Sequence, residues 1–163
     1  MQLPPIRLER LLEALNVPGL RYVLVGGLAA VLRGALQATT DADLAILYNS
    51  ENRKLLADAL EPLHPRPLRG AGGAWVWDEK CIFGPWCSYL TDAGRVDLLI
   101  RIPGVESFDA LYLRSEIIDL DGLPARVASL DDLISMKQTS GRPKDLLHLM
   151  ELEEIKRLEA GSD

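Results

Sequence analysis

No apolar run in this chain approaches the roughly 20 residues that a membrane-crossing helix needs. Its first residues, Met1-Gln2-Leu3-Pro4-Pro5, lack the basic start and apolar core of a signal peptide, so a cytoplasmic protein with no membrane partner is expected. Metal-binding sulfur and imidazole are scarce. Cys81 and Cys87 have no CxxC spacing, and His64 and His148 are scattered, which leaves no recognisable zinc set. Both thiols are expected to be reduced and packed. Positive charge is short as well: 18 Lys and Arg against 24 Asp and Glu give a formal net charge of -6. That excludes a broad basic face gripping nucleic acid, but not a small nucleotide whose phosphates meet a metal and local cations. What remains is 163 residues, 48% of them hydrophobic, enough for a core. With no internal repeat and no boundary-like linker, one domain over 1–163 is expected.

One stretch organises the rest. Tyr22-Val23-Leu24-Val25 is an apolar β-type run that breaks at Gly26-Gly27. An alanine-rich segment, Leu28 to Leu36, reads as a short, deeply buried helix, and Gln37 to Thr40 as a polar turn. Asp41 to Tyr48 is then a second strand, nearly continuously apolar after Asp43, as suits a central strand covered on both faces. Residues two apart on a strand share a face, so Asp41 and Asp43 project together. Two carboxylates held that close repel unless a cation lies between them, and magnesium is commonly held by carboxylates plus substrate phosphates. A glycine pair at a strand-to-helix junction lets a ligand approach the backbone and offers N–H groups to an anion. These residues alone suggest a phosphate-and-metal site.

In these features the chain resembles the nucleotidyltransferase superfamily of the DNA polymerase beta-like fold. Its signature is a strand ending in Gly-Gly or Gly-Ser, a helix, Asp-x-Asp/Glu on the next strand, and a third carboxylate on a later one. The resemblance spans about Tyr22 to Leu147 and implies an α/β fold, a small mixed sheet flanked by helices. It implies magnesium- or manganese-dependent transfer of a nucleoside monophosphate from a triphosphate to an acceptor hydroxyl. Asp97, inside the apolar strand Arg95 to Ile100, matches the third carboxylate. Its neighbours Arg95 and Arg101 are expected to turn to the opposite face, leaving Asp97 without a partner on its own strand. Asp41, Asp43 and Asp97 are thus the implied metal ligands and catalytic residues, with Gly26, Gly27 and Thr39 on the nucleotide. Two departures bear on phosphate binding. Leu28 follows the glycines where many members have Ser or Thr, and Gln37 stands where many have Arg, two residues before Thr39.

Small members of the superfamily, including nucleotidyltransferase-like toxins of toxin–antitoxin pairs, carry a Lys…Arg-x-Lys/x-Asp segment near the C-terminus. Lys137 with Gly141-Arg142-Pro143-Lys144-Asp145 is similar. The resemblance implies Lys137 and Arg142 on the triphosphate, oriented by Asp145. A plain helix-cap cluster explains the same residues, since Asp145 suits a helix N-terminus.

Elsewhere the pattern predicts helices over Ile6 to Leu15, Glu51 to Leu60 (capped at Asn49-Ser50), Ser129 to about Gln138, and Lys144 to about Leu158. The last is expected to bury Leu146, Leu147, Met150, Leu152 and Ile155, and to fray from Glu159 to Asp163. Arg33 is expected to reach solvent, the alternative being the active-site mouth. Hairpins are expected at Thr91-Asp92-Ala93-Gly94 and Asp121-Gly122. Glu61 to Trp77, with three prolines and Gly70-Ala71-Gly72-Gly73, reads as a surface connection with a tucked tryptophan or as a flap beside the site. The rival to an enzyme is a non-catalytic binding module of a toxin–antitoxin or regulatory pair with a protein partner. A binding module has no need of three converging aspartates. An aminoglycoside-type resistance enzyme is disfavoured by the lack of a sizeable extra domain. The acceptor, whether an RNA end, a protein hydroxyl or a small molecule such as an antibiotic, is left open.

Overall fold

Apolar runs along the chain pair into one seven-stranded mixed sheet of order β3-β4-β5-β2-β1-β7-β6. The strands are β1 (Tyr22–Val25), β2 (Asp41–Ile46), β3 (Arg66–Pro67), β4 (Trp86–Thr91), β5 (Gly94–Leu99), β6 (Glu116–Leu120) and β7 (Leu123–Val127). Among the described residues six α-helices accompany them: α1 (Leu8–Leu15), α2 (Gly26–Leu32), α3 (Ser50–Leu60), α4 (Phe108–Arg114), α5 (Leu130–Ser140) and α6 (Asp145–Ala160). The structure, a computed structural model, describes residues 3–70 and 73–162. Met1, Gln2, Ala71, Gly72 and Asp163 lie outside the described residues, and with them part of the glycine-rich stretch and the end of the tail.

The centre of the sheet is made by β1 antiparallel to β2 and β2 parallel to β5. All of β1 is buried, as are Leu44, Ala45 and Ile46 of β2, consistent with cover on both faces. The β4–β5 half differs. Its residues alternate between buried and partly exposed, so one face packs on the core and the other stays open. Cys87, Tyr89, Val96 and Leu98 point inward, while Trp86, Ser88, Arg95, Asp97 and Leu99 lie on the open face.

Several expectations change in detail. Helix α2 begins at Gly26 and stops at Leu32, because Gly34 takes a positive φ of 108°. Arg33 does not reach solvent: its Nε donates to the Ala128 carbonyl at 3.1 Å and its Nη1 pairs with Glu116 at 3.1 Å. Helix α4, without a sequence assignment, is capped by the Ser107 side chain, which accepts from the Ala110 N–H. The connection after α3 is tied down among its described residues. Arg66–Pro67 forms an edge strand on β4, and the Trp75 and Trp77 indoles each donate at 2.8 Å to the Pro65 and Ala57 carbonyls. Cys81 and Cys87 are free thiols. The face of α6 is also corrected: Leu146, Leu147 and Met150 are 63%, 74% and 66% exposed. Asp145 and Leu152, seven residues apart and therefore on one side, face inward instead.

Candidate active site

Asp41 and Asp43 open β2, where the parallel ladder pairs Asp41 with Arg95 and Asp43 with Asp97. Directly paired residues share a face, so the third aspartate arrives beside the second. One oxygen from each of Asp41, Asp43 and Asp97 lies within 4.8 Å of the others. Like charges this close resist ionisation together. Burial, followed by the charges of Asp97 and Asp41, pushes the Asp43 carboxyl up to about 7. Arg95 acts the other way, and its placement corrects an expectation. Residues 95 and 97 are two apart and share a face, so the Arg95 Nε donates to Asp97 Oδ1 at 2.9 Å.

The glycine turn meets this cluster directly. Val25 is the ladder partner of Asp43, which brings Gly26 level with the carboxylates. Gly26 has a φ of +66°, and a Cβ there would fall 2.0 Å from Asp43 Oδ2, so any side chain is excluded twice over. No side chain caps α2. Thr39 lies against Gly27, its Oγ1 3.4 Å from where a Cβ would be, and that hydroxyl donates to the Asp41 carbonyl at 3.0 Å. Thr39 thus braces the turn against the start of β2.

The basic cluster forms where α5 gives way to α6, at Gly141 in a left-handed cap. Asp145, only 3% exposed, collects three donors. Lys137 Nζ lies at 3.3 Å, Arg142 Nε at 2.9 Å and Ser140 Oγ at 2.8 Å. Burial alone would raise its pKa, but Arg142, Ser140 and Lys137 hold the carboxyl well below the usual carboxylate range. Lys137 also reaches His148 Nδ1 at 3.4 Å.

A cleft of about 380 Å³ joins these parts, with Gly26, Gly27 and Asp43 on one side and Lys137 and Arg142 on the other. Leu99, Pro103, Leu133, Met136 and Leu152 make an apolar wall. Of the three aspartates, Asp43 alone lines the cleft, and Asp145 sits behind the cations it holds.

The sheet order, the glycine turn and the aspartate row together decide the fold. This is a nucleotidyltransferase-like fold. ANT(2'')-Ia in complex with adenylyl-2''-tobramycin is similar, with a TM-score of 0.52 at 18% identity over 94% of this chain and 93% of that one. The solution structure of the antibiotic-resistance factor ANT(2'')-Ia gives 0.53 at 16% identity, over 94% and 88%. A candidate nucleotidyltransferase of Thermotoga maritima reaches 0.49 at 15% identity over 96% and 94%. No protein-family model matches the chain, and no curated protein does.

Within this nucleotidyltransferase-like fold, the sequence pointed to the polar groups and not to the apolar wall. Leu133, Met136 and Lys137 lie three and four apart on α5, a spacing that puts them on one helix face. Leu99 could likewise be read from Asp97 by alternation. Pro103 and Leu152 come from elements whose approach is tertiary, with no local signal. Thr139 and Ser140 also line the cleft, and neither carries a motif.

Proposed function

We propose that the protein is a divalent-metal-dependent nucleotidyltransferase, one domain over 1–163, acting in the cytoplasm. The observation that carries this is the convergence of Asp41, Asp43 and Asp97 beside the side-chain-free turn at Gly26. The donor set suits magnesium or manganese: three carboxylate oxygens and neither sulfur nor imidazole. Burial first, and then the charges of Asp97 and Asp41, raise Asp43, and a divalent cation would offset that crowding of negative charge. Arg95 takes Oδ1 of Asp97, and Oδ2 has no ion-pair partner among the described residues. Asp41, Asp43 and Asp97 would hold the metal, which when bound supplies charge neutralisation to the attacking and leaving oxygens of an in-line displacement.

The chain's own groups divide the remaining work. Gly26 and Gly27 present backbone N–H groups to phosphate, with Thr39 keeping the turn in place. Lys137 and Arg142 neutralise the charge that develops on pyrophosphate, and Asp145 orients both. Asp97 draws the proton from the acceptor hydroxyl. The acceptor oxygen then forms its bond to the α-phosphorus, the bond from that phosphorus to the bridging oxygen breaks, and pyrophosphate leaves with the bonding pair. The acceptor class stays open among an RNA end, a protein hydroxyl and a small molecule. The tobramycin adduct bound by ANT(2'')-Ia supports a small ring alcohol as the first to try.

A specific observation favours a second reading. Asp97 already has a charged partner in Arg95, as a retired catalytic residue would. In that reading the chain is a binding module, the nucleotide-fold half of a toxin–antitoxin or regulatory pair. The separating experiment supplies α-labelled ATP, CTP, GTP and UTP with magnesium, tobramycin or cell-extract fractions as acceptor, and Asp43→Asn as control. Label transferred by the wild type alone supports the transferase. Nucleotide binding with no transfer to any acceptor supports the module.

A further inference from the structure

Three tryptophans lie in the described chain, and they are used differently. Trp75 and Trp77 spend their indole N–H groups on backbone carbonyls and pack near Tyr89, with ring centroids 6.0 and 4.9 Å away. Trp86 has neither an indole hydrogen bond nor an aromatic partner among the described residues, and it is 62% exposed. Its position is defined by the sheet. Trp86 pairs with Leu99 and Ser88 pairs with Asp97 across the β4–β5 ladder, so all four share the open face. Leu99 lines the nucleotide cleft. The indole therefore stands beside cleft-lining Leu99, about 7 Å along the strand from the level of Ser88 and Asp97.

The hydroxyl of Ser88 adds an independent sign. Its Oγ is buried and has no hydrogen-bond partner among the described residues, directly across from Asp97. Buried polar groups in native proteins are nearly always paired, and the Ser88 hydroxyl can both donate and accept beside Asp97.

Resting on the transferase reading above, we infer that Trp86 is the platform on which the acceptor's hydroxyl-bearing ring lies, over the β4–β5 half of the sheet. In-line displacement needs the entering oxygen opposite the leaving one. Phosphate held at Gly26 and Lys137 places the leaving side toward β1 and α5, so the acceptor enters from β4, beyond β5 in the sheet order. Charge selects its class. This face carries three aspartates, its one arginine on β4 or β5 is engaged with Asp97, a single exposed cation, Arg101, follows β5, and the chain is at -6 overall. A polyanionic RNA end is repelled there, whereas a neutral or cationic ring alcohol is not. The indole face holds such a ring by stacking, and a cationic one by cation–π attraction.

The test uses the full chain with 15N-labelled tryptophan, with the Trp86 indole signal assigned from Trp86→Phe. Magnesium and α,β-methylene ATP are added first, then methyl glucoside, glucosamine or a ribotrinucleotide in separate arms. Saturable movement of the Trp86 signal by the two ring alcohols, with Trp75 and Trp77 unmoved, is expected. Trp86→Ala should weaken glucosamine binding about tenfold and leave the ATP analogue's affinity unchanged. Movement by the trinucleotide and not by the ring alcohols overturns the assignment, as does a Trp86 signal that no probe moves. Failure of the ATP analogue to bind sinks the transferase reading itself, whereas a bound analogue with a silent Trp86 sinks only the acceptor platform.

Discussion

The two charged halves of the cleft are built on opposite principles. On the β2–β5 side, Asp41, Asp43 and Asp97 face one another with Arg95 paired to Asp97, and burial, then the charges of Asp97 and Asp41, push Asp43 up to about 7. On the α5–α6 side, Lys137 and Arg142 share a buried Asp145 that also accepts from Ser140. The acidic half carries more negative charge than Arg95 offsets. The basic half carries its own counter-ion and is satisfied without a ligand. A self-sufficient cluster of this kind caps a helix and awaits a phosphate equally well, so its motif is a weaker functional signal than the aspartate row.

The comparison breaks first at Asp145. Asp145→Ala leaves two cations without their buried partner, and such losses typically cost about 3–5 kcal/mol. Urea denaturation of the mutant should show a large drop in midpoint with an unchanged slope. A drop below about 1 kcal/mol, the scale of a surface ion pair, would mean that the cluster is not what holds α6 in place.

Asp43→Asn should do the reverse. It relieves repulsion, so the metal-free mutant should melt no lower than wild type at pH 7.5, yet it should lose most of the rise in Tm that magnesium gives. The stabilisation behind that rise is on the order of 2.7 kcal/mol at a hundredfold excess over Kd. The pH dependence follows from the sign of the shift. Asp43 ionises near 3.8 when unfolded and near 7 when folded, so between those values the folded state holds the extra proton. Its contribution is full below the lower value and is lost as pH rises through the upper one. Metal-free wild type should therefore lose stability from about pH 4 to 7, and magnesium affinity should grow over the upper part of the same window. A metal-free Asp43→Asn protein that melts far below wild type would mark Asp43 as structural.

Smaller effects are expected at the cations. Replacing Lys137 with Ala should weaken triphosphate binding by about 1.5–3 kcal/mol, with little effect on monophosphate. Arg142 is half exposed, with 55% of its side chain accessible, so its replacement should cost less. Equal calorimetric affinities for wild type, Lys137→Ala and Arg142→Ala would reduce the cluster to a helix cap.

Much of the site was legible in the sequence because its signals are local. Val25-Gly26-Gly27 announces a strand, a turn and a helix start, and alternation places Asp41 with Asp43. The same rule places Arg95 with Asp97, so that ion pair was open to reading from the spacing. Other features depended on tertiary contact. The inward face of α6 is set by a buried charge, Asp145, against the pull of Leu146, Leu147 and Met150, and hydrophobic periodicity cannot see that choice. Helix α4 is short and announced only by the Ser107 cap. Arg33 finds its partners on the segment from Glu116 to Ala128, far along the chain, where no local pattern could point.

The claim that everything else depends on is that the aspartate row and the glycine turn together bind a metal–triphosphate. Calorimetric titration of ATP into wild type and Asp43→Asn, each with and without magnesium, tests it most directly. Wild type should bind ATP only weakly without magnesium and at least tenfold more tightly with it, and Asp43→Asn should show little of that gain. Magnesium-independent binding of equal strength in both proteins would contradict the account, because the three carboxylates would then have no part in holding the nucleotide.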